Sequence, residues 1–130
     1  MILREVLSKE PLAPLAAGGD QRLADAMRWV IYALIAAEEL GITQENIGNK
    51  LEEAQRRPEL TQLRRFLGVD GDLGQKLDLN NDFIVQVIQA VGNYGEIYNR
   101  HLGPESAVPI PRGLNNLYSN GGVLTSPPFQ

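Results

Sequence analysis

The stretch from Asp20 to Gly41 limits the fold more than any other part of the sequence. Its apolar residues are linked by steps of three and four positions, the spacing that places side chains on one face of an α-helix. They are Leu23, Met27, Val30, Ile31, Leu34, Ala37 and Leu40. Asp20 is a favourable N-cap, and Gly41 suits the position after the C-cap. Between Val30 and Ile35 the apolar arc widens, so we expect this helix to be buried on more than one side.

A second long helical pattern begins after Asn81, which is a suitable cap, and ends at Gly103. Its apolar face comprises Phe83, Ile84, Val87, Ile88, Val91, Tyr94, Ile97, Tyr98 and Leu102. Gly92 and Gly95 lie inside the pattern, where glycine can bend a helix. We expect the regions Asp20–Leu40 and Asp82–Leu102 to form the two longest helices.

Shorter elements are predicted around these two. Thr43 caps a helix that extends to about Gln55, and Pro58 opens a short helix that ends at Gly68. Single helical turns are expected at 73–77 and 112–117. The branched apolar residues Ile2–Leu7 predict a short strand.

The sequence thus predicts a mainly α fold with four to five helices, at most a short N-terminal strand, and an irregular C-terminal tail. Three regions follow: a strand and connector at 1–19, a helical region at 20–103, and a Pro/Gly-rich tail at 104–130. A lone strand has no partner within the chain. The amphipathic helices also exceed what a compact four-helix unit needs. Both features indicate part of a larger fold.

Composition excludes several classes of function. Twelve basic and sixteen acidic side chains give a net charge of −4, which argues against a nucleic-acid partner, since phosphate contacts need clustered Lys and Arg. There is no cysteine and one histidine, so thiolate sites are excluded and most metal centres and catalytic triads are disfavoured. The uncharged run Trp29–Ala37 is too short to span a bilayer, which takes about 20 apolar residues. Glu5 interrupts the N-terminal apolar residues, so we expect no signal peptide within this chain.

Two acidic segments, Asp70–Gly74 and Asp78–Asp82, resemble fragments of a calcium loop. An EF-hand needs Gly at loop position 6 and Glu at position 12. Starting from Asp78 those positions hold Phe83 and Gln89, and starting from Asp70 they hold Gln75 and Asn81. We therefore interpret both segments as turns and helix caps.

The basic pairs Arg56-Arg57 and Arg64-Arg65 leave two interpretations open. They could meet and bind an anion, or they could form exposed pairs with Glu52, Glu53 and Glu59, which the helical spacing favours. His101 lies near a predicted helix end, where it suits the helix dipole.

The other polar candidates are weaker. Glu38-Glu39 has no second carboxylate at a defined distance, so a general acid/base pair is unsupported. Gly18-Gly19 precedes a helix and could hold phosphate, but the charge of Asp20 opposes an anion there. We predict no catalytic residue, no metal site and no cofactor, and the chain is not expected to be an enzyme.

Several segments, taken in order, carry a family resemblance. They are Ser8–Pro14, Gly19-Asp20, Arg28-Trp29, Tyr32–Ile35, Ala37–Thr43, Leu67-Gly68, Gly71–Gly74, Asn81-Asp82, Ala90–Tyr98, Arg112–Asn115, Gly121-Gly122 and Pro127–Phe129. Together they resemble the C-terminal part of the periplasmic solute-binding proteins of general L-amino-acid (polar amino acid) ABC transporters.

The resemblance implies a two-lobed α/β receptor that closes on an L-amino acid and delivers it to an ABC permease. Residues 2–17 would be the strand that re-enters the first lobe after the return crossing, and the helices after Asp20 would pack on that lobe. The family's ligand contacts precede this segment, so no ligand-binding residue is assigned and the chain alone is not expected to bind ligand. The implied location is periplasmic or otherwise extracytoplasmic.

A small α-helical protein-interaction domain is the alternative. In either case the apolar face of the helix after Asp20 is wider than one neighbour can cover. We therefore expect the chain to form a homodimer through this face.

Overall fold

The computed structural model describes residues 13–129, and it confirms a mainly α fold. These residues form six α-helices: α1 (Gln21–Glu39), α2 (Ile47–Arg56), α3 (Thr61–Phe66), α4 (Leu73–Lys76), α5 (Phe83–Val91) and α6 (Tyr94–Leu102). Two 3₁₀ turns follow at Gly113–Asn115 and Tyr118–Asn120. The described part contains no β-sheet, only an isolated bridge between Leu117 and Leu124. The predicted strand at Ile2–Leu7 lies outside the described residues.

Helix α1 follows the prediction from the sequence closely. The Asp20 carboxylate accepts a hydrogen bond from the Leu23 backbone N–H at 3.0 Å, which confirms the N-cap. Gly41 has the positive φ of 64° that ends many helices. Ala33 and Ala37 are fully buried, and Ile35, two positions from each, is buried as well. The C-terminal half of α1 is therefore enclosed on several sides, as the widened apolar arc predicted.

The prediction of one long helix over Asp82–Leu102 is wrong. The backbone breaks at Gly92, whose φ of 79° is incompatible with a right-handed helix, and α6 begins anew at Tyr94. Asn93 and Glu96 form a capping box: the Asn93 side chain accepts from the Glu96 N–H at 2.9 Å, and the Glu96 carboxylate accepts from the Asn93 N–H at 2.8 Å. A cap placed directly after glycine restarts the helix instead of bending it.

Two predicted helix starts also differ from the structure. Thr43 and Asn46 form a turn in which each side chain accepts from the other's backbone N–H, so α2 begins only at Ile47. Pro58 lies in a turn closed by the Leu60 N–H and the Arg57 carbonyl, and α3 begins at Thr61. In both places a polar or proline residue opens a turn before the helix.

The core forms where α1 packs on α5 and α6 and where α2 packs on α3 and α5. Phe129 reaches this core from the C-terminal tail. Its ring makes edge-to-face contacts with Trp29 at 5.2 Å and Phe66 at 5.1 Å between centroids. The irregular tail is thus attached at its far end by a buried aromatic side chain.

Among the described residues, no helix is both long enough and apolar enough to cross a membrane.

Candidate functional site

A largely buried ion pair joins α1 to the C-terminal tail. The Arg112 guanidinium donates through both terminal nitrogens to the two carboxylate oxygens of Glu38, and its Nη2–Oε2 distance is 3.0 Å. The two side chains are only 17% and 15% exposed. Such a two-point pair fixes orientation as well as charge.

The guanidinium of Arg112 also contacts two aromatic rings and a backbone carbonyl. It lies 5.6 Å from the ring centroids of both Tyr94 and Tyr98 on α6. It also donates to the Asn115 carbonyl from Nε at 3.2 Å and from Nη2 at 2.9 Å. The hydrogen bond to Glu38 raises the pKa of Arg112 above its ordinary value. We call Glu38, Tyr94, Tyr98 and Arg112 the Arg112 clamp.

Gly95 leaves the space that the clamp needs. A Cβ atom added at this position would lie 2.8 Å from the Glu38 Oε1 atom. Because Glu38 is held by Arg112, the carboxylate cannot simply rotate away from an added methyl group. The segment Asn93–Glu96 therefore has two roles: Asn93 and Glu96 cap the start of α6, and Gly95 leaves room for the Glu38 carboxylate.

A groove of about 450 Å³ opens beside the clamp, lined by Tyr98, Asn99, Gly103, Pro104 and the segment Pro109–Arg112. Binding a free amino acid calls for opposite charges that meet its ammonium and carboxylate groups. Arg112 is the charged residue of this lining, and its guanidinium is already engaged by Glu38 and Asn115. The groove therefore lacks the free opposite charges of an amino-acid pocket, and its lining is mostly apolar, as in a surface that packs against another part of a protein.

The predicted exposed pairs are confirmed for Arg56 and Arg57, whereas Arg64 is only 17% exposed and has other partners. Arg56 pairs with Glu52 and Arg57 pairs with Glu53, each across four residues, and Arg57 also contacts Glu59. Arg64 and Arg65 belong to α3. Arg64 turns away from α2's acidic residues: it pairs with Asp70 at 2.6 Å and donates to the Ala54 carbonyl at 2.7 Å. Since these partners are internal, the structure gives no support to an anion site formed by the four arginines.

The acidic segments form turns as predicted, but the side chains of Asp72 and Asp82, which hold the N-cap positions of α4 and α5, make no cap hydrogen bond. Asp70 pairs with Arg64, Asp72 with Lys76, and Asp78 with Arg22, while Asp82 accepts from Gln86. Within residues 13–129, no three His, Asp or Glu side chains converge as a metal site would require.

The remaining candidates stay apart from one another. His101 is exposed in the last turn of α6, as predicted. Gly18 and Gly19 precede α1, whose N-terminus is capped by the Asp20 carboxylate. Glu39 is exposed, whereas its neighbour Glu38 belongs to the clamp.

The Asp70–Arg64 pair predicts a pH effect. The hydrogen bond from Arg64, opposed by partial burial, holds the pKa of Asp70 below its ordinary value. A depressed pKa stabilises the fold above the ordinary pKa of the group, and this contribution is lost as the pH falls through the lowered value. In an NMR titration, Asp70 should therefore titrate at lower pH in the natural chain than in Arg64→Gln. Arg56→Gln is the matched control and should leave the Asp70 curve unchanged. Identical curves in all three proteins would contradict the assignment.

Comparison with known proteins shows which proteins this chain resembles. No family model matches the chain. Over its full length it is 44% identical to the glutamate/glutamine/aspartate/asparagine-binding protein of Rhodobacter capsulatus and 45% identical to the general L-amino acid-binding periplasmic protein of Rhizobium johnstonii. The chain spans 37% of the length of each. A periplasmic binding protein from Brucella ovis, solved with glutathione bound, superposes with a TM-score of 0.87 at 40% identity, covering 98% of this chain and 39% of that one.

Over its whole length the chain is therefore similar to the C-terminal part of periplasmic binding proteins of amino-acid ABC transporters, and the resemblance seen in the sequence is confirmed.

Proposed function

We propose that this chain acts as the C-terminal part of an extracytoplasmic receptor that binds an amino acid and delivers it to an ABC permease. The observation that carries the proposal is the match along the whole chain, in sequence at 44–45% identity and in fold at a TM-score of 0.87. The amino acids in the names of the relatives, and the glutathione of the solved structure, all carry an α-amino acid group. The ligand class we propose is a molecule with that group.

In this role the chain supplies support rather than ligand contacts. Residues 1–19 would carry the return crossing, residues 20–103 the helical support, and residues 104–130 a tail that fastens onto it. The Arg112 clamp is the main charged cluster with low exposure, and it is satisfied internally. We therefore infer that the chain alone does not bind a free amino acid. From the similarity to periplasmic binding proteins we infer that it performs no catalysis and that it works in the periplasm or elsewhere outside the cytoplasm.

A chimera tests the receptor role. The segment of the Rhodobacter capsulatus receptor that aligns with residues 1–130 is replaced by this chain, and glutamate binding is measured by calorimetry. We expect a folded chimera whose dissociation constant is within about tenfold of that of the intact receptor, because the ligand contacts lie outside the exchanged segment.

Two controls bracket the result: the intact receptor, which binds, and the receptor truncated before the segment, which we expect to lose cooperative unfolding. A chimera that unfolds cooperatively but does not bind glutamate would overturn the proposed role.

A further inference from the structure

Asn120 and Gly121 lie at the exposed turn where the second 3₁₀ segment ends. Both residues are exposed, and Gly121 has a left-handed φ of 80°. Asn120 is the one asparagine of the 130-residue sequence that is followed by glycine. Because glycine has no Cβ atom, its backbone nitrogen is open to approach by the preceding side chain.

The side-chain amide of Asn120 differs from those of three asparagines elsewhere in the fold. In Asn46, Asn81 and Asn93 the amide oxygen accepts from a backbone N–H and the amide nitrogen donates to a backbone carbonyl. Within residues 13–129, the exposed Asn120 amide makes no such hydrogen bond. It is therefore free to rotate toward its own main chain.

The backbone nitrogen of Gly121 is held only weakly. Its N–H donates to the Tyr118 carbonyl at 3.2 Å, at the long end of the range for such bonds. Exposed turns of this kind open locally at little cost in free energy. One long hydrogen bond therefore separates the nitrogen from reaction.

We propose that Asn120 is a site of spontaneous deamidation, in which the Gly121 nitrogen attacks the Asn120 Cγ atom. Hydroxide removes the N–H proton, an N–Cγ bond forms, the Cγ–Nδ2 bond breaks, and Nδ2 takes up a proton and leaves as ammonia. The product is a five-membered succinimide ring. Water then adds to one of the two ring carbonyls. Opening at the side-chain carbonyl gives aspartate, and opening at the main-chain carbonyl gives isoaspartate, whose main chain runs through Cβ and Cγ.

An isoaspartate would lengthen the main chain inside a closely packed turn. A Cβ atom added at Gly122 would overlap the Asn116 carbonyl, so this backbone has no spare room. The Gly122 N–H donates to the Leu117 carbonyl at 2.9 Å, and the bridge between Leu117 and Leu124 closes the same turn. An additional main-chain carbon shifts the register between these two contacts. We therefore expect the turn to loosen while the helices stay intact.

Incubation of the 130-residue chain in mildly alkaline buffer tests the site, because the attacking nitrogen must lose its proton. Trypsin then releases the peptide 113–130, which also contains Asn115 and Asn116 as internal controls. Mass spectrometry should show aspartate and isoaspartate at Asn120, while the two control residues remain asparagine. A sample digested before incubation corrects for conversion during the digest. Equal conversion of the three asparagines, or none at Asn120, would overturn the proposal.

The rate in the folded chain tests what the structure contributes. The chain unfolded in guanidinium chloride gives the rate for the sequence alone. The folded chain should convert Asn120 no more than about tenfold more slowly, or about 1.4 kcal/mol of barrier. A larger difference would show that the turn protects the site and would overturn the proposal.

Gly121→Ala tests the identity of the attacking group. It is compared with the natural chain in guanidinium chloride, where strain in the turn has no effect. The added Cβ should slow conversion of Asn120 about tenfold, because it hinders approach to the nitrogen. Equal rates would contradict attack by this nitrogen.

Hydrogen exchange tests the consequence for the turn. In the purified isoaspartyl form, the amide hydrogens of Gly122 and Leu124 should exchange at least about tenfold faster than in the natural chain. Asn120→Asp is the matched control, because it adds the same charge without lengthening the main chain, and it should exchange as the natural chain does. Equal exchange in the isoaspartyl form and in Asn120→Asp would overturn the expected loosening.

Discussion

Replacing Arg112 by methionine is expected to lower the free energy of unfolding by about 3 kcal/mol, because it leaves the Glu38 carboxylate buried without its counter-charge. The two side chains are 17% and 15% exposed, so water cannot replace the lost partner fully. The loss extends beyond one ion pair, since Arg112 also holds Asn115 and lies against Tyr94 and Tyr98. Urea denaturation followed by circular dichroism measures the change.

Two further variants separate the buried charge from general damage. Arg56→Met removes the exposed pair between Arg56 and Glu52, which are four residues apart on one helix. It should lower the free energy of unfolding by no more than about 0.5 kcal/mol. The double variant Glu38→Leu/Arg112→Met removes both charges and should be more stable than Arg112→Met alone. If Arg112→Met and Arg56→Met have equal effects, the clamp is not a buried pair in solution.

Truncation of Phe129 to alanine should lower the free energy of unfolding by about 3 kcal/mol, which is typical when a large aromatic side chain is removed from a core. Phe129 is 9% exposed and is the point where the tail enters the helical core. Its ring contacts Trp29 edge-to-face, and Trp29 is the single tryptophan of the sequence. Removal of the ring should therefore also shift the tryptophan emission to longer wavelength as water reaches the indole.

Leu114→Ala provides the matched control for this tail variant. Because Leu114 is 63% exposed, its truncation should lower the free energy of unfolding by at most about 0.5 kcal/mol. An unchanged Trp29 emission in Phe129→Ala would show that the tail does not dock on the core as the structure places it.

Local patterns predicted the parts of the fold that depend on neighbouring residues. The N-cap at Asp20, the stop at Gly41 and the widened apolar arc of α1 are all set within a few residues, and the structure agrees with each. The arginine pairs of α2 are also local, because residues four apart on a helix are neighbours on its surface regardless of how the rest of the chain folds.

The break between α5 and α6 has a signal in the sequence, but the apolar periodicity conceals it. The apolar spacing continues smoothly across Gly92, so periodicity alone joins the two helices. The signal against this was the order of residues: glycine, then Asn93, then Glu96 three positions later, which is the pattern of a capping box. Asn93 also donates to the Ile42 carbonyl at 2.8 Å, a contact between distant segments that the sequence does not show.

The Arg112 clamp could not be found from local patterns. Glu38 and Arg112 are 74 residues apart, and each has the appearance of a surface residue in its own segment. Only the packing of the tail against α1 and α6 brings them together. Gly95 offers a partial signal, because glycine inside a helix costs stability unless something needs the space.

Calorimetric titration of the purified chain with a panel of L-amino acids tests the central claim most directly. The proposal is that residues 1–130 support a receptor without containing its ligand site, because Arg112, the charged residue that lines the groove beside the clamp, is already engaged by Glu38 and Asn115. The account predicts no saturable heat for any amino acid at concentrations up to about 1 mM. Saturable binding with a dissociation constant in the micromolar range or tighter would contradict it and would place the ligand site within these residues.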